Sequence, residues 1–360
     1  MSNYHVPVML QECIDGLQIN PKGTYVDVTY GGGGHSQAIL DQLDEDGVLI
    51  VFDQDADAIK NRIDDKRLRF CEANFRYLEN FCSYHKVGKI DGVLADLGVS
   101  SHHLDAKDRG FSFRFGQAEL DMRMNTDADF SAITVLNTYE QPKLAKVLRS
   151  YGELDKASPM ANAIINYRTV KKIETTADLE AAVDKFFYDK TKNKTLAKIY
   201  QAVRIEVNAE ISTLEQMLEQ TTNLLKPGGR LVVMSYHSLE DRLVKNLIQT
   251  GNTAGDRITD QFGNMALVYK AICKKPIMAS SDEIAVNTRA RSAKLRIAER
   301  IVGSEMCIIV SSSTNNEAIS AIGLPNNGER TTSYNIPSSR NAQKCPKSWS
   351  VRPSTLCFTR

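Results

Sequence analysis

The chain has 360 residues, of which 42% are hydrophobic and 25% charged, the profile of a globular protein and not of a disordered or fibrous one. No apolar run approaches the roughly 20 residues that cross a bilayer, and the first residues lack the basic-then-apolar pattern of a signal peptide, so no membrane association is expected and the expected compartment is the cytoplasm. A formal net charge of +1 excludes a general electrostatic attraction to nucleic acid, and any such contact has to come from local basic patches.

Five short apolar segments, at 24–30, 48–52, 68–72, 92–97 and 230–235, are predicted strands. Most have helical patterns between them, which is the signature of βαβ units and a parallel sheet. The first segment runs into Gly31-Gly32-Gly33-Gly34-His35-Ser36, and Ala38, Ile39 and Leu43 predict a helix after it. A glycine-rich turn from strand to helix lets a ligand approach the backbone at a helix N-terminus. Asp53 follows nineteen residues beyond Gly34, at the end of the second strand, where an acid accepts hydrogen bonds from ribose hydroxyls. The loop therefore reads as the seat of a nucleoside-containing cofactor; the plainer reading is a structural glycine turn. A dinucleotide pattern, G-x-G-x-x-G, wants a third glycine where this chain has Ser36. Asp27, just upstream, would repel a pyrophosphate but can receive a methionine ammonium. The balance favours S-adenosylmethionine over a nicotinamide dinucleotide.

Residues 105–200 break the strand–helix rhythm. Apolar residues recur at helical spacing in three places: Leu144, Val147, Leu148 and Tyr151; Met160, Ala163, Ile164 and Tyr167; Leu179, Ala182, Val183 and Phe186. Thr175 and Asp178 make a capping box ahead of the third. With no strand between them, residues 106–205 read as an all-helical insert in a sheet domain built from 1–105 and 206–300. Further strands are predicted at 266–272 and 293–298. Residues 301–360 differ in kind, with 11 Ser, 6 Asn and 5 Thr and no apolar period. They read either as a disordered extension or as a stretch foreign to the natural domain. They carry 6 Lys+Arg and 3 Asp+Glu, which leaves 39 against 41 in residues 1–300. The seven cysteines form no C-x-x-C pair and no zinc-ligand spacing with histidine, and no metal is expected.

Several longer motifs follow in order. Asp91-Gly-Val-Leu-Ala-Asp96-Leu-Gly98-Val-Ser100-Ser101 ends the fourth strand, and Arg109-Gly-Phe-Ser-Phe113 and Leu120-Asp-Met-Arg123-Met124 come next. Gln201-Ala-Val-Arg204-Ile-Glu-Val-Asn208, Ser235-Tyr-His237-Ser238-Leu-Glu240-Asp241-Arg242 and Asn287-Thr-Arg289-Ala-Arg291-Ser-Ala-Lys-Leu-Arg296 complete the set. With these motifs, roughly residues 4–300 resemble the bacterial 16S ribosomal RNA cytosine-N4 methyltransferase family. The resemblance implies an α/β fold, a Rossmann-like class I methyltransferase sheet with an inserted helical domain, and S-adenosylmethionine as methyl donor. It also implies N4-methylation of a cytidine at the decoding centre, with small-subunit ribosomal RNA, within the small ribosomal subunit, as partner. Gly33, Gly34, His35, Asp53, Phe75 and Asp96 fall on the family's cofactor-binding positions. In place of the family's S-S-P-Q-L-D this chain has Ser100-Ser101-His102-His103-Leu104-Asp105, so His103 stands at the Gln position and keeps the capacity for one hydrogen bond.

A cytosine N4 amine is a poor nucleophile because its lone pair is delocalised into the ring. It needs alignment, an acceptor that localises the lone pair, and late removal of a proton. Asp96 is the acceptor candidate by position, competing with its role as a cofactor contact. His237 reads either as a contact to the target base or as a buttress of a capping box formed by Ser238 and Asp241. Arg109, Phe111, Phe113 and Arg123 read as phosphate and base contacts or as packing between the domains. Arg204 and Asn208 lie one turn apart, so one helix face can carry both. Arg289 and Arg291 are candidate phosphate ligands in a stretch whose plainer reading is an edge strand with one solvated face. A non-catalytic RNA-binding module remains the second functional alternative, beside a nicotinamide-dependent dehydrogenase.

Overall fold

The computed structural model describes residues 7–99, 109–188, 191–259, 262–265 and 267–301. Among the described residues, eight strands make one sheet: β1 (Thr24–Asp27), β2 (Val48–Asp53), β3 (Leu68–Glu72), β4 (Ile90–Asp96), β5 (Leu225–Ser235), β6 (Tyr269–Ala271), β7 (Ile277–Met278) and β8 (Lys294–Arg300). Their order is β3-β2-β1-β4-β5-β8-β6, with β7 also paired to β8. The first five strands are parallel, and β8 is antiparallel to β5, β6 and β7. Strand order reverses between β1 and β4, so the crevice for a ligand opens beyond the carboxyl ends of these two strands.

The stretch read as an edge strand is β8, and it lies inside the sheet, with β5 on one side and β6 and β7 on the other. Its alternation of buried Leu295 and Ile297 with half-buried Lys294 and Arg296 has a different origin from a solvated face. Asp241 meets Arg296 Nε at 2.6 Å and Lys294 Nζ at 3.6 Å, so an acid on a covering helix matches the basic positions. The two-residue β7 was not anticipated, because it is too short to show a period.

Both sheet faces are apolar, as a parallel sheet covered on both sides requires. On one face Val26, Ile50, Val93 and Val233 pack with residues of α4 (Leu78–Tyr84), α10 (Glu210–Leu224) and α11 (Ser238–Thr250). On the other, Tyr25, Leu49, Leu94 and Val232 pack with α1 (Leu10–Leu17) and α2 (Gly34–Leu40). Two short helices, α3 (Ala56–Lys60) and α12 (Ser281–Val286), complete the sheet part.

A third hydrophobic cluster draws its buried members only from residues between Phe111 and Val203. It is built by α5 (Ala132–Thr138), α6 (Gln141–Gly152), α7 (Ala157–Arg168), α8 (Thr176–Val183) and α9 (Lys192–Asn208). Helix α6 opens with a proline in its first turn, where no N–H is needed. Helix α8 starts with the Thr175–Asp178 capping box expected from the spacing. The chain returns to the sheet at Ala209, whose φ of 51° makes it both the end of α9 and the start of α10.

Candidate active site

The carboxyl edge of β1 and β4 is organised by a relay of hydrogen bonds. Asp27, 1% exposed, accepts Ser36 Oγ at 2.7 Å and Thr29 N at 3.0 Å. Thr29 Oγ1 in turn accepts Asp96 N at 2.7 Å, which ties the end of β4 to the turn after β1. Ser36, which breaks the dinucleotide pattern, therefore has a structural reason. Asp27, read as a receiver of the methionine ammonium, is buried and its carboxylate also holds the loop itself.

Gly31 and Gly33 adopt φ of 52° and 77°, the left-handed region that favours glycine. A Cβ on Gly34 would lie 2.3 Å from Pro7 Cγ, so this glycine is needed for the N-terminal segment to pass. Asp53 Oδ2 accepts Gly31 N and Oδ1 accepts Asp55 N, both at 2.8 Å. These two donors orient the carboxylate at the end of β2. A Cβ built on Gly31 meets nothing closer than 3.9 Å, so the turn leaves open space above β1. Phe75 is half buried in a short 3-10 turn after β3, held by Asn74 accepting Arg76 N at 2.9 Å. An oriented acid, an open glycine turn and an aromatic ring beyond the neighbouring strand fit the ribose and the flat base of S-adenosylmethionine. His103 lies outside the described residues.

Asp96 sits at the end of β4 with its side chain 25% exposed, and Oδ1 accepts the Tyr236 hydroxyl at 2.9 Å. His35, buried at the start of α2, places Nδ1 3.9 Å from Asp96 Oδ2, and its Nε2 lies 3.2 Å from Val8 O. Burial pushes the Asp96 carboxyl up to about 6; His35 and Tyr236 pull it down, while Asp27 and Glu240 add to the rise. Burial and the adjacent Asp96 push the Tyr236 phenol far above its ordinary range, so Tyr236 remains a donor. Its ring also leans on Gly98, where a Cβ at φ 99° would come within 3.2 Å of Cδ2. Tyr236 was missed in the sequence, although it stands inside the Ser235–Arg242 motif one residue past β5.

His237 is the N-cap of α11, and the capping box pairs it with Glu240. The expected box of Ser238 and Asp241 is thus corrected by one position. Ser238 Oγ instead donates to Glu153 Oε2 at 3.2 Å, and Asp241 serves β8. His237 Nδ1 accepts Glu240 N at 3.4 Å, and Nε2 lies 3.2 Å from Glu240 Oε1 without hydrogen-bond alignment. With 9% of its side chain exposed, the ring packs at the start of α11. Burial alone would raise Glu240, but His237, the Tyr236 N–H and Arg204 outweigh it and hold the carboxyl below its ordinary value. Glu210, His237 and Glu240 bring ligand atoms within 4.8 Å of one another. Arg204 Nε and Nη2 each hold a Glu210 oxygen at 2.8 Å, so Glu210 is already engaged in an ion pair within this junction.

The other basic candidates scatter. Arg109, 13% exposed, donates to Arg123 O at 2.8 Å and lies 3.5 Å from Asp55 Oδ2, joining the end of β2 to the helical part. Arg123 binds Asp121 at 2.6 Å and the Thr126 carbonyl at 2.9 Å. With Arg204 on Glu210, these three guanidinium groups are engaged in internal ties. Phe111 is buried in the helical core and Phe113 packs edge-on against Tyr200 at 5.6 Å, so both aromatics are packing residues. Asn208 accepts Met124 N and donates to Met122 O, each at 2.8 Å, fastening the same loop. Arg289 and Arg291 lie in a 3-10 turn before β8, the first half buried and the second exposed.

A parallel sheet extended by an antiparallel strand, a glycine turn after β1 and an acid ending β2 define a Rossmann-like methyltransferase with S-adenosylmethionine as its cofactor. The profile of the MraW methylase family matches residues 2–301. The protein named ribosomal RNA small subunit methyltransferase H in Bacteroides fragilis is 52% identical over 299 residues, 83% of this chain and 98% of that one. Its namesakes in Phocaeicola vulgatus and Flavobacterium johnsoniae are 52% and 50% identical, each over 97–98% of their own length and 82–83% of this one. The chain belongs to the MraW methylase family, and the dehydrogenase alternative falls with that membership.

Proposed function

We propose that this protein methylates the exocyclic N4 amine of a cytidine in small-subunit ribosomal RNA, at the decoding centre of the small subunit, in the cytoplasm. The observation that carries the chemistry is Asp96, a part-exposed carboxylate held by Tyr236 at the mouth of the glycine turn. Relatives half identical to this chain are named for methylating small-subunit ribosomal RNA, which supports the substrate class. The compartment is consistent with the absence, among the described residues, of a helix long and apolar enough to cross a membrane.

S-adenosylmethionine supplies a methyl group activated by its sulfonium. Asp53 would hold the nucleoside through the ribose, the turn of Gly33, Gly34 and His35 would receive it, and Phe75 would line its base. Asp96 accepts one N–H of the amine, draws the nitrogen lone pair out of the ring, and takes the proton as the N–C bond forms. A carboxyl raised to about 6 remains mostly ionised at neutral pH and is a better proton acceptor than an ordinary one. His237 acts by fixing the start of α11 and so the position of Tyr236. Arg289 and Arg291 meet phosphates, and the helical part spanning 109–207 positions the RNA.

The test is mass spectrometry of small-subunit RNA from cells with and without the gene. Loss of one N4-methylcytidine, restored by the wild-type protein, is the expected result. Unchanged RNA modification would sink the reading, as would a purified protein that binds S-adenosylmethionine but transfers no methyl group to small subunits.

A further inference from the structure

Three of the five arginines that the motifs offered to RNA are spent on internal ties, so most phosphate contacts have to be found elsewhere. The sequence between 184 and 198 carries five Lys against two Asp, in a chain whose whole net charge is +1. Here the short 3-10 turn Asp184–Phe186 runs toward the N-terminus of α9. The Lys185 ammonium lies 5.4 Å from the Phe186 ring centre and the Lys192 ammonium 5.6 Å from that of Phe187, both within cation–π range. Tyr188 is 65% exposed, and Lys156, at the start of α7, reaches its hydroxyl at 3.3 Å and its ring at 5.4 Å.

We propose that Tyr188 with Lys156, Lys185 and Lys194 forms a docking face for single-stranded RNA flanking the target cytidine. Two features favour RNA. First, an exposed phenol ring with ammonium groups around it matches the way single strands are held, with bases stacked on aromatics and phosphates met by lysine. Second, Lys185 and Lys194 are exposed and form no ion pair among the described residues, while Lys192 is paired with Glu180. Their charge is therefore available to a polyanion. Helix α9 leads from this face to Arg204 and Asn208, about 18 and 24 Å from Lys192 at 1.5 Å per residue. Lys198 on the same helix donates to Glu153 O at 3.1 Å, and Glu153 accepts Ser238 beside His237.

This inference rests on the proposed RNA substrate, and the experiment separates the two. Binding of the full chain to purified small-subunit RNA and to assembled small subunits is measured against salt, for wild type, Tyr188→Ala, Tyr188→Phe and the pair Lys185→Gln with Lys194→Gln. The expected results are about ten-fold weaker binding for Tyr188→Ala, since one stacked base is worth that much, and near-complete rescue by Tyr188→Phe. The lysine pair is expected to flatten the log–log salt slope by about 1.4, at 0.7 per single-strand contact. Unchanged S-adenosylmethionine affinity in every variant shows that the fold is intact. Wild-type RNA affinity and slope in all variants overturns the docking face while leaving the methyltransferase reading standing. Weakened binding to subunits with unchanged binding to RNA overturns it in favour of a ribosomal-protein contact. A wild-type protein that binds neither RNA nor subunits overturns both.

Discussion

The end of β4 and the junction of α9, α10 and α11 each hold a carboxylate close to the sheet's carboxyl edge, and the protein treats them in opposite ways. At the junction Glu240 has His237, the Tyr236 N–H and the nearby Arg204 around it, and its carboxyl is held below the ordinary value despite burial. At the crevice Asp96 has one phenol and a histidine at 3.9 Å, and burial wins. Burial costs the charged form in both places; the number of donors decides the sign. Donors around the Glu240 carboxylate outweigh its burial, whereas a carboxylate left short of donors keeps its reactivity and costs stability.

The largest expected effect comes from removing the reactive member. Asp96→Asn should lower the single-turnover methylation rate by about 10²–10⁴-fold, the usual range for a positioned proton acceptor. Its stability should move the other way. A carboxyl whose folded value of about 6 lies above its unfolded 3.8 loses stability as pH rises between those two values, and the full cost stays in place above about 6. Two units correspond to about 3 kcal/mol; with the group 25% exposed, about 1–2 kcal/mol is the more realistic gain for the asparagine variant at pH 8. Urea unfolding at pH 8 and pH 4 checks it, since the gain should vanish at the lower pH. Equal stability at both would mean that Asp96 is not strained by its surroundings.

The junction should fail differently. Arg204→Met leaves Glu210 with its negative charge in a site where its side chain is 11% exposed, and should cost about 3 kcal/mol in urea unfolding. The double variant Arg204→Met with Glu210→Gln should recover much of that, because the buried charge disappears with its partner. If the single variant unfolds like wild type, the junction is ornamental and the contrast with Asp96 collapses.

What was legible in the sequence was local. Glycine turn, Asp53 and the Thr175–Asp178 box depend on residues a few positions apart, or on a strand–turn–helix unit that repeats a known spacing. Tyr236 was hidden because its partner Asp96 is 140 residues away and only the pairing of β4 with β5 brings them together. The arginines misled for a related reason. A positive charge in a motif does not say whether its counter-charge is a phosphate or a neighbour such as Glu210, Asp121 or Asp55. His237 was read beside the right helix but with the wrong box, since Ser238–Asp241 has the same spacing as His237–Glu240 and serine is the more usual N-cap. β8 read as an edge because alternation reports a face and says nothing of how many neighbours a strand has.

The smallest expected effect, and the one that sharpens the contrast most, is a shift in a pH profile. Asp96 must be ionised to accept the amine proton, so the single-turnover rate should rise with pH through about 6 and level off above it. The Tyr236 hydroxyl donates to the ionised carboxylate and lowers its value. Tyr236→Phe removes that donor while keeping the ring against Gly98, so the midpoint should move up by roughly one unit, as a hydrogen bond to a charged group is worth about 1.5 kcal/mol. The plateau rate should change little, because the carboxylate is still ionised at high pH, and S-adenosylmethionine affinity should be unaltered. A lower plateau with an unmoved midpoint would make Tyr236 a contact to the substrate and leave the tuning of Asp96 to His35 and burial. An upward shift with the plateau kept would show that donor count sets the charge on this edge, as it does at Glu240.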